Sequence, residues 1–113
     1  MIPEKFGVYL ADLNPTVGTE PGKVRPVVVI QTDVLNKVHP STLICPITTK
    51  TEKKAEILRV HLSGKEAGLD KDADILVDQV RAIDNRRFRK KLGLLSTKHK
   101  HSLLENLKIL ILE

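Results

Sequence analysis

Four consecutive β-branched residues, Val27-Val28-Val29-Ile30, constrain this chain more than any other feature. The run lacks the polar alternation of a half-exposed strand. It predicts a strand buried on both faces, with other strands beside it. Pro26 stands at its first position, where a missing N–H is tolerated. Neighbouring segments supply the sheet. Phe6 to Ala11 alternates, with Phe6, Val8 and Leu10 on one face. Thr42 to Ile47 reads as another strand, and Pro46 within it predicts an edge or a bulge. Glu56 to Leu62 alternates, Leu58, Val60 and Leu62 opposing Ile57, Arg59 and His61. Asp74 to Val80 reads as a fifth strand. The stretch from Asn14 to Lys23 holds two Pro and two Gly, which is loop chemistry. It is long for a hairpin connection, and long loops in compact domains often carry function.

The period changes near the end. Leu103, Leu104, Leu107 and Ile111 form a helical stripe. Ser102 and Glu105 have capping-box spacing, and Ser96-Thr97 offers an earlier start. Ile109 to Leu112 is apolar on every side, so this end is expected to be buried against the sheet or a second subunit. The architecture is mainly β: a small, strongly bent sheet or barrel closed by a C-terminal helix. SH3-like, OB-like and other small barrels all satisfy this pattern. With 113 residues, one domain over 1–113 is expected. No apolar run approaches the roughly 18–20 residues of a membrane span, and Met1 to Lys5 shows no signal-peptide core. Cys45 is the one cysteine, which excludes an internal disulfide framework and any multi-cysteine metal site. Together these features predict a cytoplasmic protein without membrane contact.

Charge narrows the partner class. The chain sums to +5, and the excess is uneven: residues 81–113 carry 9 basic and 3 acidic side chains. The densest stretch is Arg86-Arg87-Phe88-Arg89-Lys90-Lys91, which points to a polyanion or to a solvated face. Phe6, Tyr9 and Phe88 are the only aromatic residues, too few for a base-stacking platform of the RRM or OB type. No metal or other cofactor is expected. His99 and His101 are two apart, hence on different faces of a helix, and no histidine has a ligand at metal spacing. Cys45 alternates with Leu43 and Ile47, the pattern of a buried structural cysteine. Glycine spacing fits neither GxGxxG nor a Walker A loop.

One pair of polar residues stands out against this background. The alternation that buries Cys45 puts Thr48 on the opposite face at a strand end, followed by Thr49-Lys50-Thr51. Arg25 stands at the start of the Val27–Ile30 strand. An Arg with planar bidentate donors and a Thr hydroxyl at strand ends suit a phosphodiester clamp. A surface ion pair of Arg25 with Glu20 or Asp78 is the plainer alternative.

Three blocks carry a resemblance. They are Val8-Tyr9-Leu10-Ala11-Asp12-Leu13-Asn14-Pro15 with Gly18-Thr19-Glu20 and Arg25-Pro26-Val27-Val28-Val29-Ile30; Pro46-Ile47-Thr48; and Gly68-Leu69 with Asp74 to Asp84, continued by Arg87 and Gly93. In this order and spacing the chain resembles the MazF/PemK family of bacterial toxin endoribonucleases over roughly residues 5–113. The resemblance implies an SH3-like barrel of the CcdB/PemK type with a C-terminal helix, forming a homodimer. It implies metal-independent cleavage of single-stranded mRNA by 2′-OH attack, leaving 2′,3′-cyclic phosphate and 5′-OH ends. Arg25 and Thr48 match the catalytic pair. Glu20 and Gln79 match substrate contacts, and Lys23, Thr49, Arg81 and Arg87, beside the motif residues, complete the expected RNA-binding set. Glu20 is also a candidate general base. The implied partner is a cognate antitoxin with an acidic, disordered tail. Two other classes share the charge and the fold type: a CcdB-like gyrase inhibitor, and a silent nucleic-acid-binding module.

Overall fold

The computed structural model describes residues 1–15, 18–19 and 23–113. In chain order the elements are β1 (Gly7–Asp12), β2 (Val24–Val29), the four-residue helix α1 (Asp33–Asn36), β3 (Ser41–Thr48), β4 (Arg59–Leu62), β5 (Ala73–Leu76), β6 (Arg81–Asp84), β7 (Phe88–Leu94) and α2 (Thr97–Leu112). Short 3-10 turns lie at Glu66–Gly68, Val77–Gln79 and Asn85–Arg87. All strand pairs are antiparallel, in the order β4-β5-β3-β2-β1-β7, with β6 also on β3. The fold is the expected barrel-like β-sheet with a C-terminal helix. It is not a closed barrel: among the described residues no ladder joins β4 to β7.

The β-branched run explains the layout. Val27, Val28 and Val29 are all fully buried, because β2 lies between β1 and β3. Val28 joins Val8, Cys45 and Leu103 of α2 in one core, whereas Val27 and Val29 join Tyr9, Ile44, Ile83 and Phe88 in another. Complete burial of such side chains stabilises the fold by roughly 1.5–3 kcal/mol each. Tyr9 meets Phe88 edge to face, with ring centroids 5.3 Å apart.

Several elements depart from expectation. β3 is the hub of the sheet, not an edge. It pairs with β2 on one side; on the other it pairs first with β6 (Ser41–Ile44) and then with β5 (Ile47, Thr48). Pro46 falls between those two partners, so its missing N–H interrupts no ladder on that side. Pro26 is the third residue of β2, not its first. The expected strand from Asp74 to Val80 is β5 only as far as Leu76 and then a 3-10 turn over Val77–Gln79. β4 begins only at Arg59, because the Leu58 backbone is left-handed at φ 64 and its N–H donates to Asn106 Oδ1 of α2. β6 and β7 were not expected. β7 hides its signal under the basic run and pairs with β1 through two register shifts. α2 takes the earlier start, with Ser96 Oγ accepting the His99 N–H at 3.4 Å. Its far end is not buried against the sheet: Ile111 is 64% and Leu112 76% exposed.

Two glycines let the Glu66–Gly68 turn lie on β7. Gly68 has φ +79, and a Cβ there would overlap the Leu92 carbonyl. A Cβ on Gly93 would sit 2.7 Å from the Ala67 carbonyl carbon. Their appearance in the third sequence block thus has a steric cause.

Cys45 is fully buried, and burial, with Asp78 adding to it, pushes its thiol up to about 12. It is packing, not a nucleophile. A disulfide-exchange reagent at mildly alkaline pH is expected to label no thiol in the folded protein and one per chain in denaturant. Rapid labelling of the native protein would contradict this burial.

Candidate active site

The hub strand creates the cleft. Val29, Val28 and Val27 of β2 face Ile44, Cys45 and Pro46 of β3, and there the β2–β3 ladder ends. Beyond it β2 stays with β1, through Ala11↔Arg25 and Asp12↔Val24, while β3 follows β5, through Ile47↔Ile75 and Thr48↔Asp74. The sheet forks. In the fork lies a cleft of about 370 Å³ lined by Arg25 and Pro26 of β2, Ile47 and Thr49 at the end of β3, and Leu69, Asp70, Lys71 and Ala73 ahead of β5.

Alternation sets Arg25 on the strand face of Val27 and Val29, and Thr48 on that of Pro46 and Ile44. Each is two residues past the last ladder pair, on the same face of adjoining strands. Arg25 is half-buried. Thr48 is 9% exposed and its hydroxyl oxygen accepts the Lys50 N–H at 3.1 Å, which fixes the turn into Thr49. Thr48 adjoins the cleft without lining it; Thr49 lines it.

The other expected contacts are dispersed. Gln79 lines a second cleft of about 430 Å³, with Thr19, Ile57, Leu58 and Asp78 among its walls. Lys23 is exposed at φ 64, its N–H donating to Asn14 Oδ1 at 2.9 Å. Arg81 is half-buried at the start of β6, its backbone opposite Ile44. Arg87 donates to the carbonyls of Asp12 and Asn14, holding the root of the loop after β1. Glu20 lies outside the described residues, and with it both its role as a base and its pairing with Arg25.

Asp70 and Lys71, which line the cleft, were not singled out from the sequence. The signal was their place directly after Gly68-Leu69, within the third block. Asp70-Lys71-Asp72 reads as an ordinary charged turn until the fork brings it opposite Arg25.

The basic run is largely engaged within the chain. Lys91 meets Glu4 at 2.7 Å, Arg89 meets Asp12 at 3.5 Å, and Arg86 meets Asp84 at 3.0 Å. Arg86 hydrogen bonds hold the Asp84 carboxyl down at about 2. Phe88, in the middle of the run, is core. Charged residues on an edge strand also deter edge-to-edge pairing. Arg86, Arg87 and Arg89 line a shallow cleft with Asp12 and Asp84, whereas the cations that line the cleft at the fork are Arg25 and Lys71.

A second polar cluster lies behind the cleft. Asp74 of β5 is fully buried and accepts from Arg59 Nη1 at 2.9 Å, from His61 Nδ1 at 2.7 Å and from the Glu52 N–H at 2.8 Å. Burial opposes ionisation of this carboxyl, but the three donors prevail and its pKa is lowered. His61 is raised by its bond to Asp74 first, then by that to the Ala55 carbonyl.

Comparison with known proteins assigns the chain. MazF from Deinococcus radiodurans superposes with a TM-score of 0.84 over 100% of this chain and 99% of that one, at 23% identity. MazF in a MazE–MazF complex from the same organism gives 0.78 over 98% and 96%, also at 23%. An endoribonuclease from Mycobacterial species gives 0.77 over 96% and 90%, at 14%. These likenesses establish the fold. The family model described as PemK-like, MazF-like toxin of type II toxin-antitoxin system matches residues 4–111, a span that includes the forked sheet, the cleft and nearly all of α2. The chain therefore belongs to the PemK-like, MazF-like family of type II toxins.

Proposed function

We propose that this chain is a sequence-specific, metal-independent endoribonuclease that cuts single-stranded mRNA in the cytoplasm. The observation that carries the reading is the meeting of Arg25, Thr49 and Lys71 in one cleft at the fork of the sheet, with Thr48 beside it. The family supports it, as does the mycobacterial endoribonuclease of the same fold.

The chemistry follows from the groups present. The ribose 2′-hydroxyl loses its proton, and its oxygen bonds to the adjacent phosphorus. The bond from phosphorus to the 5′-oxygen breaks, and that oxygen takes up a proton. Negative charge grows on the non-bridging oxygens, where a planar guanidinium offers two parallel donors. Arg25 is the residue for that role. The hydroxyls of Thr48 and Thr49 fix the phosphate's orientation. Lys71 adds a second cation for the strand. Among the described residues lining the cleft, Asp70 is the one carboxylate able to accept the 2′ proton; Glu20 is the other candidate. Gln79 and Thr19 read bases in the second cleft, and Lys23, Arg81 and Arg87 serve the strand's flanks.

The same proposal gives the chain a homodimeric form and an antitoxin with an acidic, disordered tail. The exposed apolar end of α2 supports the first, and the MazE–MazF pair of the same fold supports the second. One preparation tests all three. Incubated with a long single-stranded RNA in EDTA, it is expected to give discrete cuts ending in cyclic phosphate and 5′-OH. Intact RNA from folded protein removes the nuclease, and gyrase inhibition is then the assay to run. Sedimentation as a single chain removes the dimer. Cutting that continues with the cognate tail in excess removes the antitoxin.

A further inference from the structure

We propose that Asp74 positions the β3–β4 loop, residues 49–58, and that His61 is a tie which loosens this loop as pH rises. The loop supplies Thr49 to the cleft beside Arg25 and Ala55, Ile57 and Leu58 to the cleft beside Gln79. It has little regular structure of its own, so something must hold it. Asp74 does so from the buried face of β5. One oxygen, Oδ2, accepts the Glu52 N–H at 2.8 Å and Arg59 Nη1 at 2.9 Å. The same Arg59 nitrogen donates to the Lys50 carbonyl at 3.0 Å. The other oxygen, Oδ1, accepts His61 Nδ1 at 2.7 Å, and the far side of that ring, Nε2, meets the Ala55 carbonyl at 2.9 Å. Lys50, Glu52 and Ala55 are thus fastened to one carboxylate, directly or through one side chain.

The His61 bonds carry a chemical requirement. Both ring nitrogens face oxygens that can only accept, since Asp74 is ionised and Ala55 offers a carbonyl. A neutral imidazole has one N–H; only the imidazolium donates to both. Register places the pair, His61 lying directly opposite Asp74 across β4 and β5. The charged groups around the ring are Asp74 and Asp72 at β5, Arg59 on its own strand, Lys53 and Glu56 on the loop, and Lys98 and His99 on α2. The bond to Asp74 and then that to the Ala55 carbonyl favour protonation and prevail over burial and Arg59, so the ring's pKa is raised. The sign follows. The double tie is complete below the ordinary histidine value of about 6.5 and is lost as pH rises through the raised one. Asp74 is held low, so its end of the tie fails only in acid. On losing its proton the ring keeps the bond to the buried carboxylate, and Ala55 is released.

The consequence for RNA rests on the proposed nuclease reading; the tie itself does not. Two measurements keep them apart. In the first, NMR follows the His61 ring together with the Glu52 and neighbouring loop amides from about pH 6 to about pH 9. The loop amides are expected to shift with the ring's own midpoint, and to lose that midpoint in His61→Gln. Loop amides indifferent to the ring overturn the proposal, whatever the protein does to RNA. The second is steady-state cleavage. KM is expected to rise about tenfold across the same midpoint, with kcat changing less, because the tied residues Lys50, Glu52 and Ala55 hold the loop that walls the substrate, and of that loop only Thr49, at its start, reaches the phosphate. His61→Gln is expected to flatten the profile; an unchanged pH dependence in that variant overturns the link to RNA. Asp74→Asn tests the post directly, with a KM effect at least as large. Should that buried substitution prevent folding, the wild-type titration and His61→Gln decide the matter. If no RNA is cut, the nuclease reading falls and the first measurement still stands.

Discussion

Arg25→Ala is expected to lower the rate of RNA cleavage by about 10²–10³, the usual loss for one preorganised donor at developing charge. The fold has little reason to change with it. Arg25 meets β1 through its backbone, in register with Ala11, and alanine keeps that ladder. Its side chain borders the cleft and is absent from both apolar cores. Stability is expected to move by less than about 1 kcal/mol. Arg25→Lys separates charge from geometry: it keeps the cation and loses the planar fork, so a partial loss of about tenfold is expected. Single-turnover cleavage with mapped ends measures both variants, and a urea midpoint confirms that they are folded. Parent-rate cutting by a folded Arg25→Ala protein would remove the proposed mechanism, since among the described residues no other guanidinium lines that cleft.

Gly68→Ala is expected to destabilise the fold strongly. Two costs add. At φ +79 a Cβ is strained by about 1–2 kcal/mol. The new carbon also meets the backbone of Leu92, which cannot swing aside as a side chain would. β7 is held there by β1, with Gly93 opposite Val8 and Lys91 opposite Tyr9. Overpacking of this kind costs a further 1–3 kcal/mol or so, and a typical domain has about 5–15 kcal/mol in all. Gly18→Ala is the control. Gly18 also has positive φ, +60, but among the described residues no atom lies within 4 Å of its Cβ position. Its loss is expected to stay near the strain alone, about 1 kcal/mol. Urea unfolding of the two variants therefore isolates the contact with β7. Equal midpoints would mean that the Glu66–Gly68 turn moves away from β7 freely.

Local pattern foretold most of the sheet. The run Val27–Ile30 announced a strand buried on both faces, and the structure puts its valines into two cores. Residues whose state depends on distant partners were harder. Phe88 to Leu94 carries three consecutive cations and no clean alternation, yet β1 draws it into a strand. Pro46 suggested an edge because local reasoning has no way to see a strand change partners beside it. Leu58 broke from its alternating segment because Asn106, far along the chain, takes its N–H. The site divides in the same way. Arg25 and Thr48 were visible as polar residues at strand ends. Asp70 and Lys71 were not, since only the fork brings their turn to face β2. Asp74 and His61 were seen merely as parts of two separate strands, because an ion pair across strands needs the register that sequence alone does not supply.

The pairing of β1 with β7 has a bearing on timing. Gly7 is opposite Leu94 and Ala11 opposite Phe88, so β1 waits for its outer neighbour until β7 has been made. Contacts so distant in sequence form late and make folding slow. β2, which carries Arg25, depends on β1 for its outer neighbour, and the turn bearing Asp70 and Lys71 rests on β7. A nascent fragment ending before β7 has the residues of the cleft without its walls. The cleft is thus assembled only after β7 has been synthesised, so the growing chain carries Arg25, Asp70 and Lys71 before the sheet can hold them around one cleft.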